Sequence, residues 1–393
     1  MTFPDGFLWG SATAAHQIEG GNVNNDWWDL EHDPTSGCAA SSGDACDSFH
    51  RYPEDVALGA ALGLNAYRFS VEWSRIEPAE GELSRGALDH YRRMAGACRE
   101  HGLVPVVTIH HFTHPRWLAA DGCWEAPRAP DRFARLAEQV ARHLGDLAGM
   151  VVTLNEPNVV ATMGWRLGLF PPRVQDRARH EAVNAAMVRA HRLGVEAVRQ
   201  VQGDLPVGLS LSMTDYQLLP GGETRLERYR QVSEDVFLEA TEGDDFVGVQ
   251  TYTRARVGAD GIAAPEEGVP TTQMGYEYWP DALEATVRRA AEVTGGGVPV
   301  LVTENGVGTG DDAARVAYVQ RALAGLHRCI DDGIDVRGYF YWSLLDNFEW
   351  LLGYGPTFGL VAVDRETFER RPKPSAAWYG RIARDNALET GVD

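Results

Sequence analysis

The sequence predicts an α/β fold, a single (β/α)8 TIM barrel with its active site at the C-terminal ends of the strands, and three observations carry that expectation. Apolar runs of strand length recur about eight times, each followed by a polar segment and then a helical pattern, as in a parallel sheet with helices outside it. No low-complexity linker or block of charge divides the chain, so residues 1–393 read as one domain. With 44% hydrophobic and 23% charged residues, the chain has ample material for one large core, and α/β barrels commonly reach 393 residues undivided.

Taken in order, the expected strands begin with residues 7–11 (FLWGS) and 66–70 (AYRFS), both rich in aromatic residues. Residues 104–110 (VPVVTIH) and 150–154 (MVVTL) are near-continuous apolar runs, as expected of strands covered on both faces. Residues 207–212 (VGLSLS), 246–251 (FVGVQT), 299–303 (PVLVT) and 336–342 (VRGYFYW) complete the set. Amphipathic helices are expected between strands, at residues 132–144 and 180–201 among others. Two stretches, 26–46 and 254–278, are rich in Gly, Pro and polar residues and read as irregular. Each follows a proposed strand, which puts it on the face where barrel active sites form and makes it a candidate pocket wall.

Charge excludes some functions. The net charge of −20, from 36 basic against 56 acidic residues, repels phosphate backbones and anionic membrane surfaces, so neither nucleic acid nor a membrane is an expected partner. The Arg-bearing stretch 173–179 reads as solvated helix ends. Met1-Thr2-Phe3-Pro4-Asp5 is not a basic segment leading into an apolar run, and no stretch reaches about 18 apolar residues, so a cytoplasmic protein is expected. The five cysteines are odd in number and scattered, without zinc-ligand spacing. They read as free thiols, with Cys38 and Cys46 the only pair close enough in sequence to be considered.

The strand ends hold the chemistry. Gln17 follows the first strand, Arg68 lies in the second, and His111 stands just past the third. Asn155-Glu156 closes the fourth, Tyr252 the sixth and Glu304 the seventh, while Trp342, Glu349 and Trp350 belong to the eighth. Two carboxylates among amides, a histidine and tryptophans suit a sugar, whose C–H faces stack on aromatic rings and whose hydroxyls pair with polar side chains. Cleaving a glycosidic bond needs one carboxyl protonated, to assist the leaving oxygen, and one ionised, to meet the charge developing at the anomeric carbon. Glu156 and Glu304 fit those parts. Carboxylate chemistry of this kind requires no metal and no organic cofactor.

At these residues the sequence resembles the family 1 glycoside hydrolases across essentially its whole length. Residues 7–20 (FLWGSATAAHQIEG) resemble the family's opening, and Tyr67-Arg68-Phe69-Ser70 with Glu72-Trp73-Ser74-Arg75-Ile76 resembles its second strand. Thr153-Leu154-Asn155-Glu156-Pro157 is similar to the acid/base motif, Val302-Thr303-Glu304-Asn305-Gly306 to the nucleophile motif, and residues 342–350 (WSLLDNFEW) to the sugar-binding segment. The resemblance implies a retaining exo-β-glycosidase acting on small β-glucosides or close relatives. In it Glu304 attacks the anomeric carbon, and Glu156 first donates a proton and later takes one from water. It also implies that Arg68 and the hydroxyl of Tyr252 favour ionised Glu304, and that Asn155 bonds the 2-hydroxyl. Gln17, His111, Glu349 and Trp350 would hold the outer hydroxyls, with Trp342 as the platform under the ring. Members acting on 6-phosphorylated sugars replace the acid found here at Glu349 and add a basic residue downstream. Residues 351–358 contain no Lys or Arg, so an unphosphorylated sugar is expected.

Some positions depart from the family pattern. Gln250-Thr251-Tyr252 stands where Asn-Tyr-Tyr is usual, which puts the polar contact of that Asn in question. Phe112 replaces a frequent Trp and removes an indole N–H. The chain is shorter than typical members, with much of the loss between Asp215 and Phe246, from which a more open aglycone side is expected. Three rival readings stand beside the hydrolase. A transglycosidase would use the same covalent intermediate, and a non-catalytic sugar-binding protein would lack one of the two carboxylates. A zinc-dependent barrel hydrolase would build its metal site on His110-His111, but adjacent strand residues point to opposite faces and cannot readily share an ion. His110 and His16 are expected in the core or behind the site. Trp9, Trp28, Trp73 and Trp378 are as readily packing residues as sugar contacts.

Overall fold

Eight parallel strands pair in strict chain order and close on themselves. They are β1 (Leu8–Ala12), β2 (Ala66–Ser70), β3 (Val104–His110), β4 (Met150–Asn155), β5 (Val207–Ser212), β6 (Phe246–Thr251), β7 (Val300–Asn305) and β8 (Val336–Trp342). The computed structural model describes residues 1–389. The closing pairs join β1 to β2 in register Gly10 with Ala66, and β1 to β8 in register Gly10 with Phe340. Five strand spans match the expected ones, and three are displaced: β1 starts and ends one residue later, β4 runs on to Asn155, and β7 covers 300–305 instead of 299–303. Pro299 lacks the N–H that would open β7, and its carbonyl instead accepts from Val247.

Alternation of side chains along the strands separates two cores. Ala12, Ala66, Val106, Val152, Phe246, Leu301 and Phe340 fill the barrel interior, while Val107, Val151, Val247, Val300 and Val302 pack outward against the helices. Burial on both faces is why the strands read as unbroken apolar runs. Helix Ala129–Leu144, with Pro130 in its first turn, packs on helix Arg177–Val201, which is capped by the Asp176 carboxylate accepting from the Arg179 N–H. Both helices start three residues before their expected positions, because the first turn carries cap and charged residues instead of the apolar period.

The two stretches read as irregular carry more structure than expected. Residues 26–46 contain helix Asp26–Glu31, whose N-cap Asn25 accepts from the Trp28 N–H. Residues 254–278 contain the short strands Arg254–Gly258 and Gly261–Ile262. Both elements are too short to impose a visible period. Cys38 and Cys46 are unbonded, as are Cys98, Cys123 and Cys329. Among the described residues no helix is long and apolar enough to cross a membrane.

Candidate active site

The C-terminal ends of the strands surround a cavity of about 260 Å³. Eight of the expected site residues line it: Gln17, His111, Glu156, Tyr252, Glu304, Trp342, Glu349 and Trp350. Arg68 and Asn155 lie fully buried just behind the wall.

Local backbone irregularity aims the two carboxyls. Along β7, Leu301 faces the interior and simple alternation would turn residue 304 outward, but a register shift between Val302 and Glu304 reverses the phase and places Glu304 beside Gln250 of β6. A second shift lies between Val152 and Asn155 of β4, and the next residue, Glu156, takes a left-handed conformation with φ of 45°. Such a conformation in a residue with a Cβ persists only where the surroundings hold it. Pro157 then opens a helical turn, Pro157–Ala161.

The pair sits in unequal surroundings. Arg68 donates to Glu304 Oε1 at 2.5 Å and Tyr252 Oη to Glu304 Oε2 at 2.6 Å, so both oxygens are engaged by donors. Burial lifts the pKa of both carboxyls. For Glu304 the Arg68 charge and the bonds from Tyr252, Arg68 and Gln250 oppose that rise. For Glu156 the negative charge of Glu304 adds to it, with only a Ser212 contact and the more distant Arg68 opposing, and the carboxyl stands well above the usual range. Of the two, Glu156 is the carboxyl whose surroundings favour the protonated form more, and Glu304 the one whose partners favour the ionised form. Burial and the Glu304 charge together push the third acid, Glu349, up to about 8.

The amides fix the tautomer of His111. Asn155 Oδ1 accepts from Arg68 at 2.5 Å and from Gln250 Nε2 at 2.9 Å, which assigns Nδ2 as the group facing His111 Nε2 at 3.1 Å. An amide N–H can only donate, so Nε2 accepts and the ring proton lies on Nδ1. That nitrogen has no protein partner, and burial with the Arg68 charge keeps the ring neutral. Gln17 is held likewise: its Nε2 donates to the Phe348 carbonyl at 2.8 Å and faces Glu349 at 3.4 Å, while its Oε1 is buried and unpaired. Gln250, at the position put in question, donates to Asn155 Oδ1 from two strands away, across the end of β5.

Residues that sequence reasoning did not place on the pocket are Val159, Phe170, Ser212, Met274, Tyr276 and Phe358. Ser212 ends β5 and Val159 lies in the turn that follows Glu156, whereas the others come from connections without periodicity, and only the position of 254–278 after a strand hinted at Met274 and Tyr276. Phe112 lines the pocket and packs on Trp350 with ring centroids 5.0 Å apart. His110 lies behind, its ring 6.5 Å from Trp73, and His16 contacts Asn25 and Glu31; neither reaches the cavity. Trp9 and Trp73 are core residues, Trp28 and Trp378 are half-buried, and none of the four lines the pocket.

The glycine that follows the Glu304 strand is sterically required. A Cβ on Gly306 would lie 2.1 Å from the Trp342 carbonyl oxygen, so Gly306→Ala must force the ends of β7 and β8 apart. The substitution is expected to cost about 1–3 kcal/mol of stability and to lower kcat/KM by displacing Glu304 and Trp342 together. Denaturant titration and kinetics on one preparation check both, and an unchanged kcat/KM would show that the strand ends absorb the methyl group.

Comparison with known proteins agrees with this arrangement. Residues 1–256 and 248–388 match the sequence profile of glycosyl hydrolase family 1. The chain is 35% identical to thermostable beta-glucosidase B of Thermobispora bispora, over 100% of this chain and 92% of that one. It is 32% identical to a bifunctional beta-D-glucosidase/beta-D-fucosidase of Bifidobacterium breve, over 98% and 99%. The alignment to that relative runs over 464 residues against the 393 present here, in keeping with a shortened chain. Among solved structures, a β-glycosidase 49% identical superposes with a TM-score of 0.92, covering 100% of this chain and 99% of that one. A family 1 β-glucosidase from Thermotoga maritima in complex with isofagomine lactam, 30% identical, superposes with a TM-score of 0.93 over 99% and 100%. On its sequence, its closed barrel and these matches, the chain belongs to glycosyl hydrolase family 1.

Proposed function

We propose that residues 1–393 form one catalytic unit, a retaining exo-β-glycosidase that hydrolyses unphosphorylated β-glucosides and close relatives. The observation that carries this reading is that two buried carboxyls share one pocket in opposite surroundings, Glu304 gripped by a cation and a phenol, Glu156 by neither. Glu304 attacks the anomeric carbon while Glu156 gives its proton to the departing oxygen. In the resulting ester Glu304 carries no charge, so one cause of the raised Glu156 pKa disappears. Glu156 is then a carboxylate able to take a proton from water as that water releases the sugar, and two inversions leave the β configuration.

Around the sugar, His111 Nδ1–H, Gln17 Oε1 and Glu349 supply the donors and acceptors for hydroxyls, and the second Nδ2 hydrogen of Asn155 remains for the 2-hydroxyl. Trp342 and Trp350 give the apolar faces. No Lys or Arg lines the cavity and Glu349 stands in it, which disfavours a phosphorylated sugar. The β-glucosidase and β-fucosidase names of the relatives support the glycone range. Five unpaired cysteines fit a reducing compartment, and we place the enzyme in the cytoplasm.

The deciding experiment is hydrolysis of a panel of nitrophenyl β-glycosides differing at C4 and C6, with the first-formed anomer followed by NMR. The β-sugar is expected first from glucoside and fucoside; first appearance of the α-anomer, or turnover of none of the panel, refutes the proposal. A bell-shaped pH profile of kcat/KM is also expected. Activity is lost as pH falls because Glu304 becomes protonated, and lost as pH rises because Glu156 ionises. A profile without an alkaline limb removes Glu156 as the acid.

A further inference from the structure

We propose that a second site, outside the sugar pocket, binds one zinc-group divalent cation on Cys123 and His114, with Asp26 supporting the histidine. Among the described residues, Asp26, His114 and Cys123 form the one group of three or more such side chains placed to hold an ion. All three are buried, with candidate ligand atoms within 4.8 Å of one another. A tetrahedral ion with bonds of about 2.0–2.3 Å needs donors about 3.3–3.8 Å apart, which a group this compact reaches by small side-chain shifts.

The histidine is already oriented. His114 Nδ1 faces Asp26 Oδ2 at 2.8 Å, and the His114 backbone N–H donates to Asp26 Oδ1 at 2.9 Å. Its Nε2 is buried in a side chain 1% exposed and has only the Cys123 thiol to face. A carboxylate on the far nitrogen is the arrangement that orients metal-bound imidazoles. His110, its ring centroid 4.8 Å from that of His114, also has two unpartnered nitrogens and brings a further donor close. These are not the ligands expected from His110-His111, since His111 faces the sugar pocket.

Cys123 supplies the soft donor from an unusual position. Its φ is 55°, in the left-handed region that favours glycine, yet it carries a thiol turned inward. Thiolate and neutral imidazole are the ligating forms, so uptake of an ion releases the thiol proton of Cys123, and no electron moves. The site joins helix Asp26–Glu31 to the segment after β3. Trp27, next to Asp26, packs on Trp350 and Phe170 at 4.5 and 4.6 Å, so the ion braces the pocket wall from behind and takes no part in the reaction.

The test uses full-length protein stripped with a chelator. Added Co2+ is expected to give a thiolate-to-cobalt charge-transfer band in the near ultraviolet that saturates at one ion per chain, and Zn2+ to raise Tm. Cys123→Gly suits the backbone and should fold, with Tm in chelator at or above that of the parent, yet lose both the band and the Zn2+ shift. His114→Gln should lose them as well. Absence of the band in the parent overturns the proposal, as does a band or Tm shift that survives Cys123→Gly.

Discussion

Replacing Glu304 by Gln should lower kcat on nitrophenyl β-glucosides by about 10⁴-fold or more, near 5.5 kcal/mol of lost transition-state stabilisation. An amide is a poor nucleophile, and it cannot offset the positive charge that grows at the anomeric carbon. Gln is the informative replacement because Arg68 is fully buried and its bond to Oε1 would otherwise lose its acceptor. Gln keeps that acceptor but not the charge, and breaking a buried ion pair costs about 3–5 kcal/mol, so Tm is measured beside kcat to separate a catalytic loss from unfolding. KM should change only a few-fold, since Gln17, His111, Glu349 and the tryptophans still meet the sugar. The Glu156 proton should also become more acidic, because the Glu304 charge that raises its pKa is gone. A variant with more than a tenth of parental kcat would assign the nucleophile elsewhere.

Replacing Glu156 by Gln should give a loss that depends on the leaving group. Alkyl glycosides, which need a proton to depart, should lose about 10³–10⁴-fold, within the usual span for general acid–base catalysis. Dinitrophenyl glycosides, whose phenolate leaves unaided, should still form the glycosyl-enzyme rapidly and then stall, because no base activates water. A burst of one dinitrophenolate per chain followed by slow turnover is the expected trace. Added azide should rescue turnover and yield the β-glycosyl azide. The same anion given to a Glu304→Gly variant should yield the α-azide, because it then attacks the sugar directly from the opposite face. Equal losses across all leaving groups would remove Glu156 from the proton transfer.

The barrel was legible because burial on both faces of a strand removes the polar interruptions that mark other strands, and boundary errors were confined to one to three residues at element ends. The two acids were legible through short motifs at strand ends. What was not legible came from contacts between segments. The partners of Gln250 emerged only when the register of β6 with β7 put it beside Glu304 and the closed barrel brought it within reach of Asn155. Phe170, Met274 and Tyr276 belong to connections whose path no periodicity fixes. Asp26 lies far along the chain from His114 and Cys123, so no ligand spacing could reveal the three together.

The ring of strands begins and ends at the same seam. Gln17 follows β1 and Glu349 follows β8, and only the pairing of those two strands, first and last to be synthesised, brings the two side chains together. A chain released before residue 336 already holds both Glu156 and Glu304 yet has only half of the pocket wall around them. Recovery of activity during refolding therefore times the zipping of that seam, a late and long-range event, and lags behind signals that report helix formation.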